Sequence, residues 1–204
     1  TSSQWLMVST GSTHSIGLKK DGTLWAWGDN ASGQFGNGTI ISSTIPVRIG
    51  IQTDWKFIRA GWSKSMAIKN DGTLWLWGAG QNSSPIKLGS DTNWQEVNIG
   101  GWHNQAIKTD GSLWAWGFNS SGQIGIGSNV QQNTPIQVGT STDWKMVDAG
   151  YAHNVAIRNN GTLWTWGANS YGCFEDNVAT RSSPIQIGTN TNWSEIRAGS
   201  GVMV

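Results

Sequence analysis

The stretch DGTLWLWG, residues 71–78, places an Asp-Gly turn directly before two tryptophans that are separated by one residue. Near copies of it occur at residues 21–28, 110–117 and 160–167. Asp-Gly and Asn-Gly tolerate the positive φ angles of a tight hairpin. In the strand that follows, alternate residues share a face, so both tryptophans lie together. The stretch therefore predicts a hairpin that the chain repeats four times.

The repeat extends on both sides of this hairpin. Each unit begins with a tryptophan that is followed three residues later by Val or Ile, at Trp5, Trp55, Trp94, Trp144 and Trp193. Each complete unit closes with a Pro-apolar segment, at residues 46–50, 85–89, 135–139 and 184–188. Within one region spanning 1–204 we predict repeats at 5–54, 55–93, 94–143 and 144–192, with a partial fifth repeat at 193–204.

Each repeat contains four short apolar runs separated by Gly-rich or Pro-containing turns, and helical patterning is almost absent. Four strands in a unit of about 40–50 residues are typical of a β-propeller blade. The second repeat lacks the stretch that corresponds to residues 30–39, so we expect a trimmed loop and retained strands. The predicted fold is an all-β propeller built from four-stranded blades.

The composition argues against several classes of protein. Charged residues make up 12% of the chain, the net charge is +1, and Lys19-Lys20 is the longest basic cluster. A phosphate-binding footprint for nucleic acid is therefore absent from the sequence. No apolar run approaches the roughly 20 residues of a membrane-spanning helix. Low charge and turns rich in Ser, Thr and Asn favour a secreted or cell-surface bacterial protein.

No arrangement of residues in the sequence predicts catalysis. The carboxylates are scattered, and the Gly-rich stretches 33–38 and 122–127 lack the Lys-Ser/Thr of a phosphate loop. The single cysteine, Cys173, replaces the Gln found in other repeats, and we interpret it as a local substitution. We therefore expect a non-enzymatic protein without a cofactor or metal.

Recurring aromatic and imidazole side chains are interpreted as structural. A residue type that occupies the same place in every blade usually serves a common core, and large rings fill the wedge between sheets. This interpretation applies to the paired tryptophans Trp25, Trp27, Trp75, Trp77, Trp114, Trp116, Trp164 and Trp166. Three histidines, His14, His103 and His153, each follow a leading tryptophan by nine residues, whereas Lys64 takes that place in the second repeat. We expect these histidines to hydrogen-bond between neighbouring blades rather than to bind a metal.

The order of these motifs resembles the regulator of chromosome condensation repeat, from Trp5 to about Gly201. The matching elements are Trp-x-x-Ile-x-x-Gly-x-x-His, then Asp-Gly-Thr-Leu-Trp-x-Trp-Gly, then Asn-x-x-Gly-Gln-x-Gly-x-Gly. The resemblance implies a seven-bladed propeller with about one blade per repeat. With four repeats and a fragment, we expect a segment of a longer protein first and a self-associating arc second, with a four-bladed closure as the third possibility.

Two tryptophans stand outside the repeated pattern. Trp62 and Trp102 precede the second strand of their repeats, and Tyr151 occupies the position of Trp62 in the fourth repeat. Because this position varies while its neighbours do not, packing does not explain the aromatics. The resemblance implies that this loop carries aromatic residues that bind partners. We predict a partner-binding loop face formed by Trp62, Lys64, Trp102, His103, Tyr151 and Ser12.

The leading hypothesis is a protein-binding scaffold that uses this face, with a protein partner of unknown identity. Three alternatives remain open. Exposed tryptophans could stack on sugars in a carbohydrate-binding propeller. The resemblance also admits guanine-nucleotide exchange on a small GTPase. The chain could finally be a structural repeat module of a larger surface protein.

Overall fold

A computed structural model describes residues 4–169, 172 and 178–199, and in this part of the chain every helix or strand is a β-strand. Sixteen strands form four sheets of four strands, and consecutive strands are neighbours in every sheet. The predicted all-β fold with four-stranded blades is confirmed. The described residues contain no helix long and apolar enough to cross a membrane.

Each sheet takes its four strands from one continuous stretch of chain. The first contains β1 Trp5–Thr10, β2 His14–Lys19, β3 Leu24–Gly28 and β4 Ser43–Ile49. The second contains β5 Trp55–Ala60, β6 Lys64–Lys69, β7 Leu74–Gly78 and β8 Ile86–Lys87. The third contains β9 Trp94–Ile99, β10 His103–Lys108, β11 Leu113–Gly117 and β12 Gln132–Gln137. The fourth contains β13 Trp144–Ala149, β14 His153–Arg158, β15 Leu163–Ala168 and β16 Thr180–Ile187.

The Asp-Gly-Thr turn is held by side chains as well as by its backbone. Asp71 Oδ1 accepts hydrogen bonds from the Thr73 backbone N–H at 3.0 Å and from its hydroxyl at 2.6 Å. Trp75 Nε1 then donates to Thr73 Oγ1 at 2.9 Å. The same network forms in the other three sheets. The conserved spacing within the chain therefore orients the first tryptophan of each pair.

The chain divides into two compact units, Thr1–Val97 and Asn98–Val204. In the first unit, Trp77 is fully buried in a cluster with the opposed face of the first sheet, which contributes Ile16 and Ala26. Phe35, in the loop before β4, completes this cluster. The tryptophan face of one sheet thus packs on the small-aliphatic face of the preceding sheet.

The second unit repeats this packing. Trp166 is fully buried in a cluster that also contains Leu113, Ala115 and Ile124 of the preceding repeat. Burial of a large ring contributes more apolar contact than any other side chain. The second tryptophan of the pair is therefore an internal packing element in both units.

Two details differ from the simplest expectation. In the shortened second repeat, strand β8 contains only two residues, Ile86 and Lys87, and both are exposed. This repeat lacks the loop that corresponds to residues 30–39, which precedes the fourth strand in the first repeat. The leading tryptophan Trp5 is 42% exposed, whereas Trp55 is 4% exposed. The repeat limits given above stay predictions, and Cys173 and residues 200–204 lie outside the described residues.

Candidate functional site

The aromatic residues singled out from the sequence lie on loops between the first and second strands of their sheets. Trp62 follows β5, Trp102 follows β9 and Tyr151 follows β13. Their exposed fractions are 44%, 51% and 46%, in that order. Exposure of this much aromatic surface in one recurrent loop is unusual for side chains that serve only packing.

In the first unit, the loop of the first repeat contacts the loop of the second. The Ser12 hydroxyl donates a hydrogen bond to the Trp62 carbonyl oxygen at 3.0 Å. Lys64, two residues later, begins β6 and is half-buried, and burial lowers the pKa of its ammonium group. Two neighbouring loops of the first unit therefore bring together Ser12, Trp62 and Lys64.

In the second unit, the equivalent loops are joined by backbone hydrogen bonds. The Gly101 N–H donates to the carbonyl oxygens of Gly150, at 3.2 Å, and Tyr151, at 3.0 Å. A β-carbon at Gly101 would lie 2.8 Å from the Tyr151 ring, so only glycine allows this approach. Trp102 is the next residue. The exposed pair of Trp102 and Tyr151, here called the Trp102–Tyr151 surface, is thus built on two loops held together by backbone hydrogen bonds.

His14 lies beneath its loop and bridges two sheets of the first unit. Its Nε2 is 2.9 Å from Ser65 Oγ, and the Ser65 hydroxyl donates to the Gln34 carbonyl oxygen at 2.8 Å. Because the serine proton is used on Gln34, the imidazole Nε2–H must be the donor to Ser65. Burial lowers the pKa of His14 to about 4, so the ring is neutral at physiological pH.

His103 makes the equivalent bridge in the second unit. Its Nε2 is 2.5 Å from Asn154 Oδ1, and Asn154 Nδ2 donates to the Gln123 carbonyl oxygen. The His103 side chain is fully buried, and burial lowers its pKa to about 4. His103 therefore supports the loop from inside and does not reach the surface that the sequence assigned to it.

His153 is also buried, and burial lowers its pKa. Across residues 4–169, 172 and 178–199, no group of three or more His, Cys, Asp or Glu side chains is placed to hold a metal ion.

Comparison with known proteins identifies the repeat. A profile of the regulator of chromosome condensation (RCC1) repeat matches residues 110–157. A second profile of the same repeat matches residues 8–34, 94–123 and 145–173, and the matches together cover just over half of the chain. The chain belongs to the RCC1 repeat family.

Solved structures agree with this family at the level of the fold. Human WBSCR16 matches with 21% identity and a TM-score of 0.87, over 100% of this chain and 57% of that protein. Prp20p from Saccharomyces cerevisiae matches with 20% identity and a TM-score of 0.88, over 100% of this chain and 57% of Prp20p. The predicted propeller class is confirmed. The chain spans little more than half the length of these two proteins.

A plant structure extends the comparison. The ectodomain of the receptor kinase ACR4 from Arabidopsis thaliana matches with 17% identity and a TM-score of 0.58, over 99% of this chain and 62% of that one. At these identities the likeness shows the fold alone.

The repeated tryptophans of these RCC1 blades pack in a constant pattern. Trp55 meets Trp75 edge-on, at 6.1 Å between ring centroids, and is tilted against Trp77, at 6.2 Å. Trp5 and Trp144 make the same two contacts within their own sheets. Such aromatic pairs add roughly 0.5–1.5 kcal/mol beyond the area that they bury.

A cation covers the outer tryptophan of each blade. Lys69 Nζ lies 4.7 Å from the Trp75 centroid and 4.9 Å from that of Trp55, and it pairs with Asp54 at 3.1 Å. Equivalent cations are Lys19, Lys108 and Arg158. A groove of about 310 Å³ in the first unit is lined by Trp55, Trp75 and Lys69. Because Lys69 lies over both rings, the ring faces that it covers are not open for a sugar to stack on.

The first strands carry a polar column that the sequence interpretation missed. Ser9 Oγ accepts from the Ala60 N–H at 2.9 Å, and Asp148 Oδ2 accepts from the Ala198 N–H at 2.7 Å. Arg59 and Asn98 occupy the same column, and both donate to a backbone carbonyl oxygen of the following repeat. The signal was present, because a polar residue follows the Val or Ile three residues after each leading tryptophan.

Phe118 is an exposed aromatic residue that the sequence interpretation also missed. It follows β11, is 45% exposed, and its N–H donates to the Trp102 carbonyl oxygen at 3.0 Å. The equivalent residues of the other repeats are Asp29, Ala79 and Ala168, which make the same backbone hydrogen bond. A comparison of this variable column across repeats would have revealed Phe118, as it revealed Trp62.

Proposed function

We propose that this RCC1-repeat chain is a protein-binding module that uses the loops between the first and second strands of its blades. In the second unit the Trp102–Tyr151 surface supplies the anchors, and in the first unit Trp62 does so beside Ser12 and Lys64. The observation that carries the proposal is the exposure of all three aromatics in the one loop, between the first and second strands, where the repeats diverge.

The distribution of tryptophan supports this assignment. The described tryptophans that follow the repeat code are buried or half-buried, apart from Trp5 and Trp193, which lead the first and fifth repeats. Trp62 and Trp102 occupy positions at which the other repeats have no tryptophan, and both are exposed. Tryptophan and tyrosine are enriched among interface residues whose truncation costs about 2 kcal/mol or more.

The construction of the loops supports it further. The backbone hydrogen bonds of Gly101 to Gly150 and Tyr151 hold the loops before a partner arrives. His103 fixes β10 directly beneath through Asn154. A surface that is already ordered loses less conformational entropy on binding, which favours affinity.

The structural relatives are consistent with a protein partner. Prp20p, which shares the fold, binds Gsp1p and histones, and the yeast protein has been crystallised with Kap60. Those partners belong to those proteins. For this chain they support only the broader statement that RCC1 blades bind proteins.

The proposal is tested by selecting binders from a phage library that displays fragments of natural proteins. The full chain is the target, and selected fragments are then measured against Trp102→Ala/Tyr151→Ala and Trp62→Ala. Trp193→Ala is the matched control, because Trp193 is also an exposed tryptophan but lies outside these loops. We expect the loop variants to weaken binding by about 30-fold or more and the control to leave it unchanged.

The result that overturns the proposal is equally specific. Selected fragments would bind both loop variants, each folded by circular dichroism, as tightly as they bind the parent chain. Binding to a glycan array that depends on Trp102 or Trp62 would instead favour the carbohydrate alternative.

A further inference from the structure

The first sheet exposes a face that is buried in the other three sheets. Val8 on β1 is 50% exposed, whereas the equivalent Ile58 on β5 is fully buried. Trp5 and Trp55 differ in the same way. The equivalent residues of the third and fourth sheets are all buried: Trp94, Val97, Trp144 and Val147. The first sheet therefore has an open apolar face where each later sheet has a covered one.

The second sheet shows what covers such a face within the first unit. Trp55 and Ile58 lie in one cluster with Ile16 and Ala26 of the preceding sheet. Phe35, in the loop that precedes β4, completes this cover. The covering element is thus the small-aliphatic face of an RCC1 blade together with its Gln-x-Gly loop.

Hydrogen bonds make this cover specific. The Gln34 carbonyl oxygen accepts from Trp77 Nε1 and from the Ser65 hydroxyl, each at 2.8 Å. His14 Nε2 donates to the same hydroxyl oxygen at 2.9 Å. The loop and the histidine of one blade therefore satisfy a serine and a tryptophan of the next.

The second unit repeats this arrangement. The Gln123 carbonyl oxygen accepts from Trp166 Nε1, at 3.1 Å, and from Asn154 Nδ2, at 2.7 Å. His103 Nε2 bonds to the same asparagine. One covering geometry therefore occurs in both units, with serine or asparagine at the position that meets the histidine.

Ser15 and Trp27 are the corresponding residues of the first sheet. They lie opposite each other on β2 and β3, as Ser65 and Trp77 do on β6 and β7. Both are half-buried, and neither side chain has a hydrogen-bond partner within residues 4–169, 172 and 178–199. A polar group that loses water without gaining a partner costs free energy, so whatever covers these two must bring an acceptor.

The fourth sheet is already covered at its first-strand side. Ile196 is 5% exposed and packs on this sheet, and the Ala198 N–H donates to Asp148 Oδ2 at 2.7 Å. The equivalent Ala60 N–H bonds to the first sheet in the same manner. A second copy of β1 would have to displace this segment, which disfavours a second copy as the cover of Trp5.

We propose that Trp5, Val8, Ser15 and Trp27, here called the Trp5–Trp27 face, dock an RCC1-type repeat that lies outside residues 1–204. A carbonyl oxygen of that repeat's Gln-x-Gly loop accepts from Trp27 Nε1 and the Ser15 hydroxyl. A histidine at the start of its second strand donates to Ser15 Oγ. Human WBSCR16 and Prp20p, which share the fold, extend well beyond the 57% of their length that this chain matches.

The test extends the chain by one repeat. A second copy of residues 1–54 is placed directly before Trp5, where it ends at Asp54 as it does before Trp55 in the parent chain. Hydrogen exchange of the Trp27 Nε1–H in the retained repeat is followed by NMR, and Trp27→Phe in that repeat assigns its signal. We expect the added repeat to slow this exchange by at least about tenfold.

Ser15→Ala supplies a second measurement, by urea denaturation. In the parent chain it should leave the midpoint unchanged, because the hydroxyl has no partner to lose. In the extended chain, the same change in the retained repeat should lower the midpoint as much as Ser65→Ala lowers that of the parent. Gly36→Ala in the added repeat is the matched control. Its β-carbon would press on the retained Trp27, as it would on Trp77, and should restore fast exchange.

Three results would overturn the inference. The first is an unchanged exchange rate of Trp27, or no effect of Ser15→Ala, in the extended chain. The second needs only the parent chain: the Trp27 Nε1–H of the monomer would already exchange as slowly as that of Trp77. The third is a parent chain that sediments as a dimer in which Trp27 exchanges slowly, because the occupant would then be a second copy. The fragment selection tests the protein-binding proposal separately, so either proposal can fail without the other.

Discussion

The imidazole Nε2–H of His14 donates a hydrogen bond to the Ser65 hydroxyl on the neighbouring sheet, at 2.9 Å. His103 makes the equivalent bond to Asn154 in the second unit. Both rings are buried, and burial lowers the pKa of each to about 4 from the ordinary 6.5. Protonation of either ring would place a charge between two packed sheets.

Stability should therefore fall in mild acid. Because the folded-state pKa values lie below 6.5, the unfolded chain binds more protons between about pH 4 and 6.5. Each histidine makes its full contribution to the free energy of unfolding above about pH 6.5. By pH 4 that free energy falls by roughly 3 kcal/mol for each of the two histidines. Urea denaturation at a series of pH values measures this slope. His103→Gln keeps a donor towards Asn154 and should flatten the slope; an unchanged slope would contradict the assignment.

The two leading tryptophans of the first unit should differ in their contribution to stability. Trp55 is 4% exposed and lies in the cluster with Leu24 and Ile49, whereas Trp5 is 42% exposed. We expect Trp55→Ala to lower the free energy of unfolding by about 3–5 kcal/mol, and Trp5→Ala by about half of that or less. Urea denaturation of the two variants provides the comparison. Equal losses would show that another blade, from this or a second chain, covers Trp5.

Gln105 offers a substitution that should raise stability. Its side chain is fully buried, and neither amide atom has a hydrogen-bond partner within the described residues. Ile16, Met66 and Val155 occupy the same position in the other repeats. An unpaired buried polar group costs about 1–3 kcal/mol, so Gln105→Met should raise the free energy of unfolding by about 1 kcal/mol. The reverse change, Met66→Gln, should lower it; stabilisation by Met66→Gln would contradict this account.

The sequence predicted the strands well because the repeat presents each motif four times. The Asp-Gly-Thr turn and the paired tryptophans are local features, and the hydrogen bonds from Trp75 to Thr73 and from Thr73 to Asp71 span only two residues. Contacts between sheets were harder to foresee. Nothing local to Gln34 indicates that its carbonyl oxygen accepts from both Ser65 and Trp77.

The candidate site was predictable only in part, for a related reason. Trp62 and Trp102 were found because aromatic residues occur there at a variable position between constant neighbours. Phe118 was missed because it lies near Trp102 only once β10 and β11 are paired. That pairing places Gly117 opposite His103, so the adjoining residues Phe118 and Trp102 meet. His103, which directly follows Trp102, was assigned to the same face, but its side chain is buried and bonds to Asn154 of the next sheet.

The glycine of the Gln-x-Gly loop provides a final, paired prediction. Gly36 has φ of +81°, and a β-carbon there would lie 2.7 Å from Trp77 Nε1. Gly80 has φ of +73°, and a β-carbon added to it would have no atom within 4 Å. Gly80→Ala should cost only the backbone strain of a left-handed residue, about 1–2 kcal/mol. Gly36→Ala should cost a further 1–3 kcal/mol or so, because the new methyl would push on the fully buried Trp77 ring.

Urea denaturation measures the difference between these two variants, and tryptophan fluorescence reports its cause. Displacement of Trp77 would break its hydrogen bond to the Gln34 carbonyl oxygen, which is 2.8 Å long, and shift the emission of Gly36→Ala to longer wavelength. Gly80→Ala should leave the spectrum unchanged. Equal losses of stability in the two variants would mean that backbone conformation alone selects glycine at residue 36. The contact between the loop and the tryptophan of the next blade would then have no part in that selection.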